Sequence, residues 1–185
     1  MELDKQVLND IRSIILPNDV VFPEVFVAME PGGPRNKTAI ISMIKFNGNF
    51  VIVNIETFQP TIAAEDSERL MQHVEMIKND NKFKDSTIHF ILSSNLPRND
   101  IERLLESQSL SKVRISHSFM ENATNILCEN LCNGTLLVDS TIDQLQTLVE
   151  ELQSLKVIYR NSKKYHTCSD AIITIMLLLD KMVKK

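Results

Sequence analysis

Apolar residues recur at helical spacing at Leu3, Val7, Ile11, Ile14 and Ile15, which predicts an N-terminal helix closed by Pro17 before a turn at Asn18 and Asp19. Val20 to Met29 reads as a strand, with Pro23 marking an edge position or a late start. Pro31-Gly-Gly-Pro34 is the strongest breaker in the chain and predicts a loop. Thr38 to Phe46 and Phe50 to Ile55 are β-branched and aromatic runs separated by Asn47-Gly48-Asn49, the composition of a tight hairpin. After Pro60, Leu70, Val74 and Ile77 share one face of a helix expected from about Ala63 to Asn79, with Asp66 in its first turn.

Thr87 to Ser93 has the composition of a buried strand, and Leu96-Pro97 leads into a short helix with Ile101, Leu104 and Leu105 turned inward. From Lys112 to Leu131 a strand around Val113 and Ile115 runs into a helix marked by Ala123, Leu127 and Leu131, which reaches Cys132 and ends near Gly134. Both elements are apolar enough to be core. Their connection, Ser116 to Glu121, is expected at the carboxyl end of a strand, where open α/β sheets form sites. The alternation of strand and helix predicts a parallel sheet with right-handed crossovers, carrying the hairpin on one side. Ser140-Thr-Ile-Asp143 has the form of a capping box, followed by an amphipathic helix through Ile142, Leu145, Leu148, Leu152 and Leu155. Val157 to His166 reads as a basic linker, Thr167-Cys-Ser-Asp170 as a second box, and Ile172, Ile175, Met176, Leu179 and Met182 as a closing helix.

A hydrophobic fraction of 43% with 24% charged residues is ordinary for a globular chain of 185 residues, and argues against disorder or coiled coil. The longest apolar run, Ala171 to Leu179, is too short to cross a membrane. With no leader-like start, the expected setting is intracellular, and the three cysteines are expected to be reduced thiols. The net charge of −4 is uneven: from Gln153 onward the segment carries about +5, and the rest about −9. A basic tail touches phosphate or is simply a solvated face.

Cys128 and Cys132 have the spacing of two metal ligands on one helical face, but further ligands are distant and packing is the better account. No cysteine and histidine are near enough in sequence to make a nucleophile and its base. Of the four histidines, His73 is expected on a helix surface and His89 on one side of its strand. His117 alone falls at a strand end where a site is expected. There is no glycine-rich turn between a strand and a helix, which excludes the common nucleotide-binding loops. Glu24, Glu30 and Glu56 have the chemistry to hold Mg²⁺ at a strand end, but no lysine follows Glu56 to complete such a site.

The order hairpin, helix, strand, helix, strand, helix resembles the nuclease-like domain of the XPF/Mus81 structure-specific endonucleases over about Val20 to Asn133. Val113-Arg-Ile115 and Ala123-Thr-Asn-Ile-Leu127 look like that family's Leu-Arg-Ile and Ala-Thr-x-x-Leu element, and Val53-Asn-Ile-Glu-Thr-Phe58 stands where its Glu-Arg-Lys signature belongs. The resemblance implies an α/β fold with an XPF-like, restriction-endonuclease-like central sheet, flanking helices and a helical C-terminal segment. It also implies a nuclease-like domain over residues 1–136 and a degenerate helix-hairpin-helix module over 137–185, since no glycine follows Gly134.

Without the Glu-Arg-Lys signature the chain is similar to the family's inactive partner subunits, the small sporulation subunits of meiotic crossover heterodimers among them. That implies no catalytic residues, no metal and no cofactor. The implied role is that of a nuclear, chromosome-associated, non-enzymatic partner of a larger XPF-like subunit, stabilising branched DNA recombination intermediates. Lys156, Arg160, Lys163 and Lys164 are the candidate phosphate contacts. Phe119, Ile126, Leu145, Leu152, Ile175 and Leu179 are the candidate partner surface, with ordinary core as the competing account. Two other readings stay open: a small metal-dependent α/β enzyme using Glu30 and Glu56, and an assembly or interaction protein without DNA affinity.

Overall fold

Asn47 and Gly48 have φ of 51° and 78°, the two-residue turn whose twist suits a right-handed hairpin. That turn joins the two longest strands of a sheet. A computed structural model describes residues 12–32, 37–60, 64–94, 99–106, 108–142, 146, 148 and 169–185. In chain order the elements are β1 (Ser13–Ile14), β2 (Glu24–Glu30), β3 (Thr38–Phe46), β4 (Asn49–Phe58), α1 (Glu65–Asn79) and β5 (Thr87–Ser93). They continue as α2 (Asn99–Leu104), β6 (Ser109–Val113), α3 (His117–Cys132), β7 (Leu136–Asp139) and α4 (Asp170–Val183).

The seven strands lie in the order β1-β7-β4-β3-β2-β5-β6. Only β3 runs against its neighbours, so the other six strands end at one side of the sheet. The hairpin is therefore the middle of the sheet and not an addition to one side. Its length and apolar content explain this, since β3 is buried from Thr38 to Ile44 and only an interior strand buries both faces.

Alternate residues of β2 feed two cores. Phe26 and Ala28 join Ile41, Met43, Ile52, Leu127, Ile172 and Ile175 beneath α3 and α4. Val25, Val27 and Met29 join Ile40, Ile44, Leu70, Val74, Ile77 and Ile101 beneath α1 and α2. The result is a three-layer α/β/α arrangement, the expected central sheet with flanking helices.

Three expectations change. Ser13 and Ile14 pair in parallel with β7 instead of continuing a helix, and Ile15 is 78% exposed. The preceding residues 1–11 lie outside the described residues. Strand β7 was not anticipated, because four residues after Gly134 are too few for a periodic signal. Finally, α4 packs against β2 and β3 beside α3, where Asn122 donates to Asp180 at 3.2 Å. The closing helix is thus part of the central core and does not stand apart from the domain expected to end at residue 136.

Candidate active site

The alternation that buries Phe26 and Ala28 carries Glu30 onto the same face, at the carboxyl end of β2. Strands β2 and β5 are parallel with Met29 opposite Leu92, so the next residues, Glu30 and Ser93, end side by side. Helix α4 covers this face and begins there: Ser169 caps it by accepting from the Ile172 amide, and Asp170 follows in the first turn. Glu30, Ser93 and Asp170 therefore meet where three elements end.

Glu30 is 9% exposed, and its Oε2 has no hydrogen-bond partner among the described residues. Burial pushes its pKa up from 4.5 to about 7; the nearby Asp170 charge adds to the rise, and a hydrogen bond with Ser93 opposes it. A buried carboxyl with one unsatisfied oxygen, facing a second carboxylate, favours a proton or a cation between the two. Two carboxylates and a hydroxyl are hard oxygen donors, which suit Mg²⁺ or Mn²⁺. Mg²⁺ commonly takes one or two protein carboxylates and completes its shell with water and substrate phosphate. The residues present fit such an ion, although among the described residues no three His, Cys, Asp or Glu side chains cluster.

The opposite face of the same strand ends holds a different polar group. Ser42 Oγ lies 2.6 Å from His73 Nε2, and Glu56 Oε2 lies 3.8 Å from His73 Nδ1. Arg69 pairs with Glu56 at 3.2 Å and lies over the Phe58 ring. His73, expected on a helix surface, is fully buried because the serine on β3 supplies its partner. At the amino end of β2, Glu24 meets His89 at 3.0 Å and also pairs with Lys185, which holds the Glu24 carboxyl below its usual range.

These positions separate the acids expected to share a metal. Glu24 and Glu30 sit at opposite ends of one strand, about 20 Å apart at ~3.3 Å per residue. Glu56 pairs with Ile40 and faces α1, on the far side of the sheet from Glu30. Of the three, Glu30 alone belongs to the site, and Ser93 and Asp170 were not foreseen. Nothing in the sequence links residues 93 and 170 to Glu30, because parallel pairing and helix packing bring them together.

Among the candidate interface residues, Ile175 and Leu179 are fully buried in this chain's own core and offer nothing to a partner. Phe119 and Ile126 pack partly buried against that core. Leu145 and Leu152 lie outside the described residues, as do Lys156, Arg160, Lys163 and Lys164. Helix α3 starts at His117, capped by Ser116, so the long connection expected from Ser116 to Glu121 is helical and His117 is exposed at its start. Cys128 is buried, with its thiol pushed up to about 11 mainly by burial, while Cys132 is exposed.

No family model and no curated protein matches the sequence. Solved structures do match. The manganese-soaked human cytomegalovirus terminase nuclease domain superposes with a TM-score of 0.72 at 11% identity, over 97% of this chain and 94% of that one. The large terminase nuclease from thermophilic phage G20c gives 0.61 at 13% identity, covering 95% of each chain. A large terminase from another thermophilic bacteriophage gives 0.69 at 14% identity, over 98% of this chain but 43% of that one.

The chain has a nuclease-like fold. Its architecture is that of the restriction-endonuclease-like and RNase H-like α/β folds, and the solved structures described above are terminase nuclease domains and not XPF-type proteins. The expectation of a chain that is not an enzyme is overturned, because it rested on a missing signature on β4, whereas the neighbours sharing this fold are enzymes. In this chain the acids converge elsewhere, at the ends of β2 and α4.

Proposed function

We propose that this chain is a divalent-metal-dependent nuclease that hydrolyses phosphodiester bonds in nucleic acid, with Glu30 and Asp170 as its metal-holding carboxylates. The observation that carries this reading is the buried Glu30 carboxyl, one oxygen unpartnered, within reach of the Asp170 charge at the carboxyl ends of the parallel strands. The nuclease-like fold and the manganese-soaked neighbour support it. A bound divalent ion supplies Lewis-acid activation of a phosphoryl oxygen and of water. Glu30 and Asp170 would hold it, Ser93 orients Glu30 through its hydrogen bond, and the positive amino end of α4 lies beside these carboxylates.

The test is cleavage of plasmid and of single-stranded DNA and RNA with Mn²⁺ or Mg²⁺, for the wild type, Glu30→Gln and Asp170→Asn. Metal-dependent cleavage lost in both variants supports the reading. Cleavage that survives both, or a wild type inert on every substrate with either metal, refutes it.

Pairing with a larger XPF-like subunit on branched DNA, in the nucleus, is a separate proposal about partners. Its support is the sequence likeness of Val113-Arg-Ile115 and Ala123 to Leu127, which lie at the end of β6 and within α3. Affinity purification with mass spectrometry tests it: a stoichiometric XPF-like subunit supports it, and recovery of the chain alone refutes it.

A further inference from the structure

Strand β2 leaves the sheet at Glu30 into Pro31 and Gly32. Proline carries no amide hydrogen, so Gly32 is the first backbone donor after the carboxylate. That amide donates to Thr38 Oγ1 at 2.8 Å, and the Thr38 hydroxyl in turn donates to Asp66 Oδ1 at 2.6 Å. Thr38 is fully buried and Asp66 is 1% exposed. Thr38 opens β3 next to Ala39, the residue paired with Glu30, and Asp66 lies in the first turn of α1, a favourable place for a carboxylate. The chain of bonds thus ties the exit of β2 to the helix on the far face of the sheet.

A buried carboxylate is costly, and an apolar pair would fill the same space at less cost. What the polar pair adds is its third member, the Gly32 amide. We propose that Thr38 and Asp66 are positioning residues for Glu30: they fix the Pro31-Gly32 exit of β2 and thereby hold the Glu30 carboxyl in its place beside Ser93 and Asp170. The role of that carboxyl pair rests on the nuclease reading above, but the positioning of Glu30 does not.

The test uses the full chain with carbon-13 in its glutamate carboxyls, the Glu30 signal being assigned by its loss in Glu30→Gln. Thr38→Ser keeps the hydroxyl and should leave the Glu30 signal, the slow exchange of the Gly32 amide and the Mn²⁺ affinity as in the wild type. Thr38→Val keeps the shape and removes both bonds. It should shift or split the Glu30 signal, speed Gly32 exchange at least about tenfold, and weaken calorimetric Mn²⁺ binding by about tenfold, the usual scale for an outer-shell partner.

An unchanged Glu30 signal in Thr38→Val overturns the proposal whatever the metal does. A changed signal in a protein that binds no Mn²⁺ upholds the positioning role and sinks only the metal reading. Should Thr38→Val fail to fold, Asp66→Asn retains the acceptor oxygen and should preserve the Glu30 signal. Fast exchange of the Gly32 amide in the wild type overturns the proposal without any variant.

Discussion

Replacing Glu30 by glutamine should change how stability depends on pH. The Glu30 pKa rises from 4.5 to about 7 on folding, so between these values the native state binds more protons than the unfolded chain. Stability from this group is therefore complete below about pH 4.5 and is lost as the pH rises through about 7. Each tenfold change in proton affinity is worth about 1.4 kcal/mol, which puts the loss at about 3 kcal/mol by pH 8. Glutamine brings its own cost, a buried amide in place of a carboxyl fitted to its surroundings, of about 1–3 kcal/mol. That cost is the same at every pH.

The informative quantity is therefore a difference of differences. Relative to the wild type, Glu30→Gln should gain about 2.5 kcal/mol between pH 5 and pH 8, or about 5–10 °C in Tm for a chain of this length. Urea unfolding at both pH values in EDTA, which keeps metal from masking the effect, measures it directly. A stability gap between variant and wild type that is the same at pH 5 and pH 8 would show that Glu30 ionises like a solvated carboxyl, and the account of the site would fail.

Other substitutions probe other parts of the fold. Gly48→Ala meets no atom within 4 Å, so only its φ of +78° opposes the change, and a loss of about 1–2 kcal/mol is expected from urea midpoints. His73→Ala removes a fully buried ring and its 2.6 Å contact with Ser42, and should cost about 3 kcal/mol in the same assay. Iodoacetamide followed by peptide mass spectrometry should label Cys132 in the native protein while leaving Cys128, buried and with its thiol pushed up to about 11, unmodified until denaturation.

What the sequence revealed depended on how locally each feature is encoded. The hairpin is written in adjacent residues, two β-branched runs about an Asn-Gly pair, and it formed where expected. Helix α3 and strand β5 are set by their own periodicity and were legible for the same reason. The fate of Ile14 was not legible, because a two-residue strand takes its partner from β7, more than a hundred residues away.

The same holds for the site. Glu30 stood out as an acid at a strand end, but Glu56 looked equivalent until β4 turned it to the other face. Asp170 read as part of a helix cap, and the cap itself proved to be Ser169, one residue before it. His73 looked like a surface residue because Ser42, which partners its Nε2, lies 31 residues away on another element.

An unsatisfied buried carboxyl is stable only with something to occupy it, and the proton and the cation compete for the same oxygens. In Glu30 that competition is set at about pH 7, not at the ordinary 4.5. Apparent Mn²⁺ affinity should therefore be flat above about pH 7 and fall nearly tenfold for each pH unit below it, since each bound cation must displace one proton. Calorimetry in two buffers of different ionisation enthalpy counts that proton: close to one released per Mn²⁺ at pH 6, and close to none at pH 8. An affinity that stays constant down to pH 5, or binding at pH 6 without proton release, would mean that the ion does not sit on Glu30. The raised carboxyl would then be a feature of packing alone.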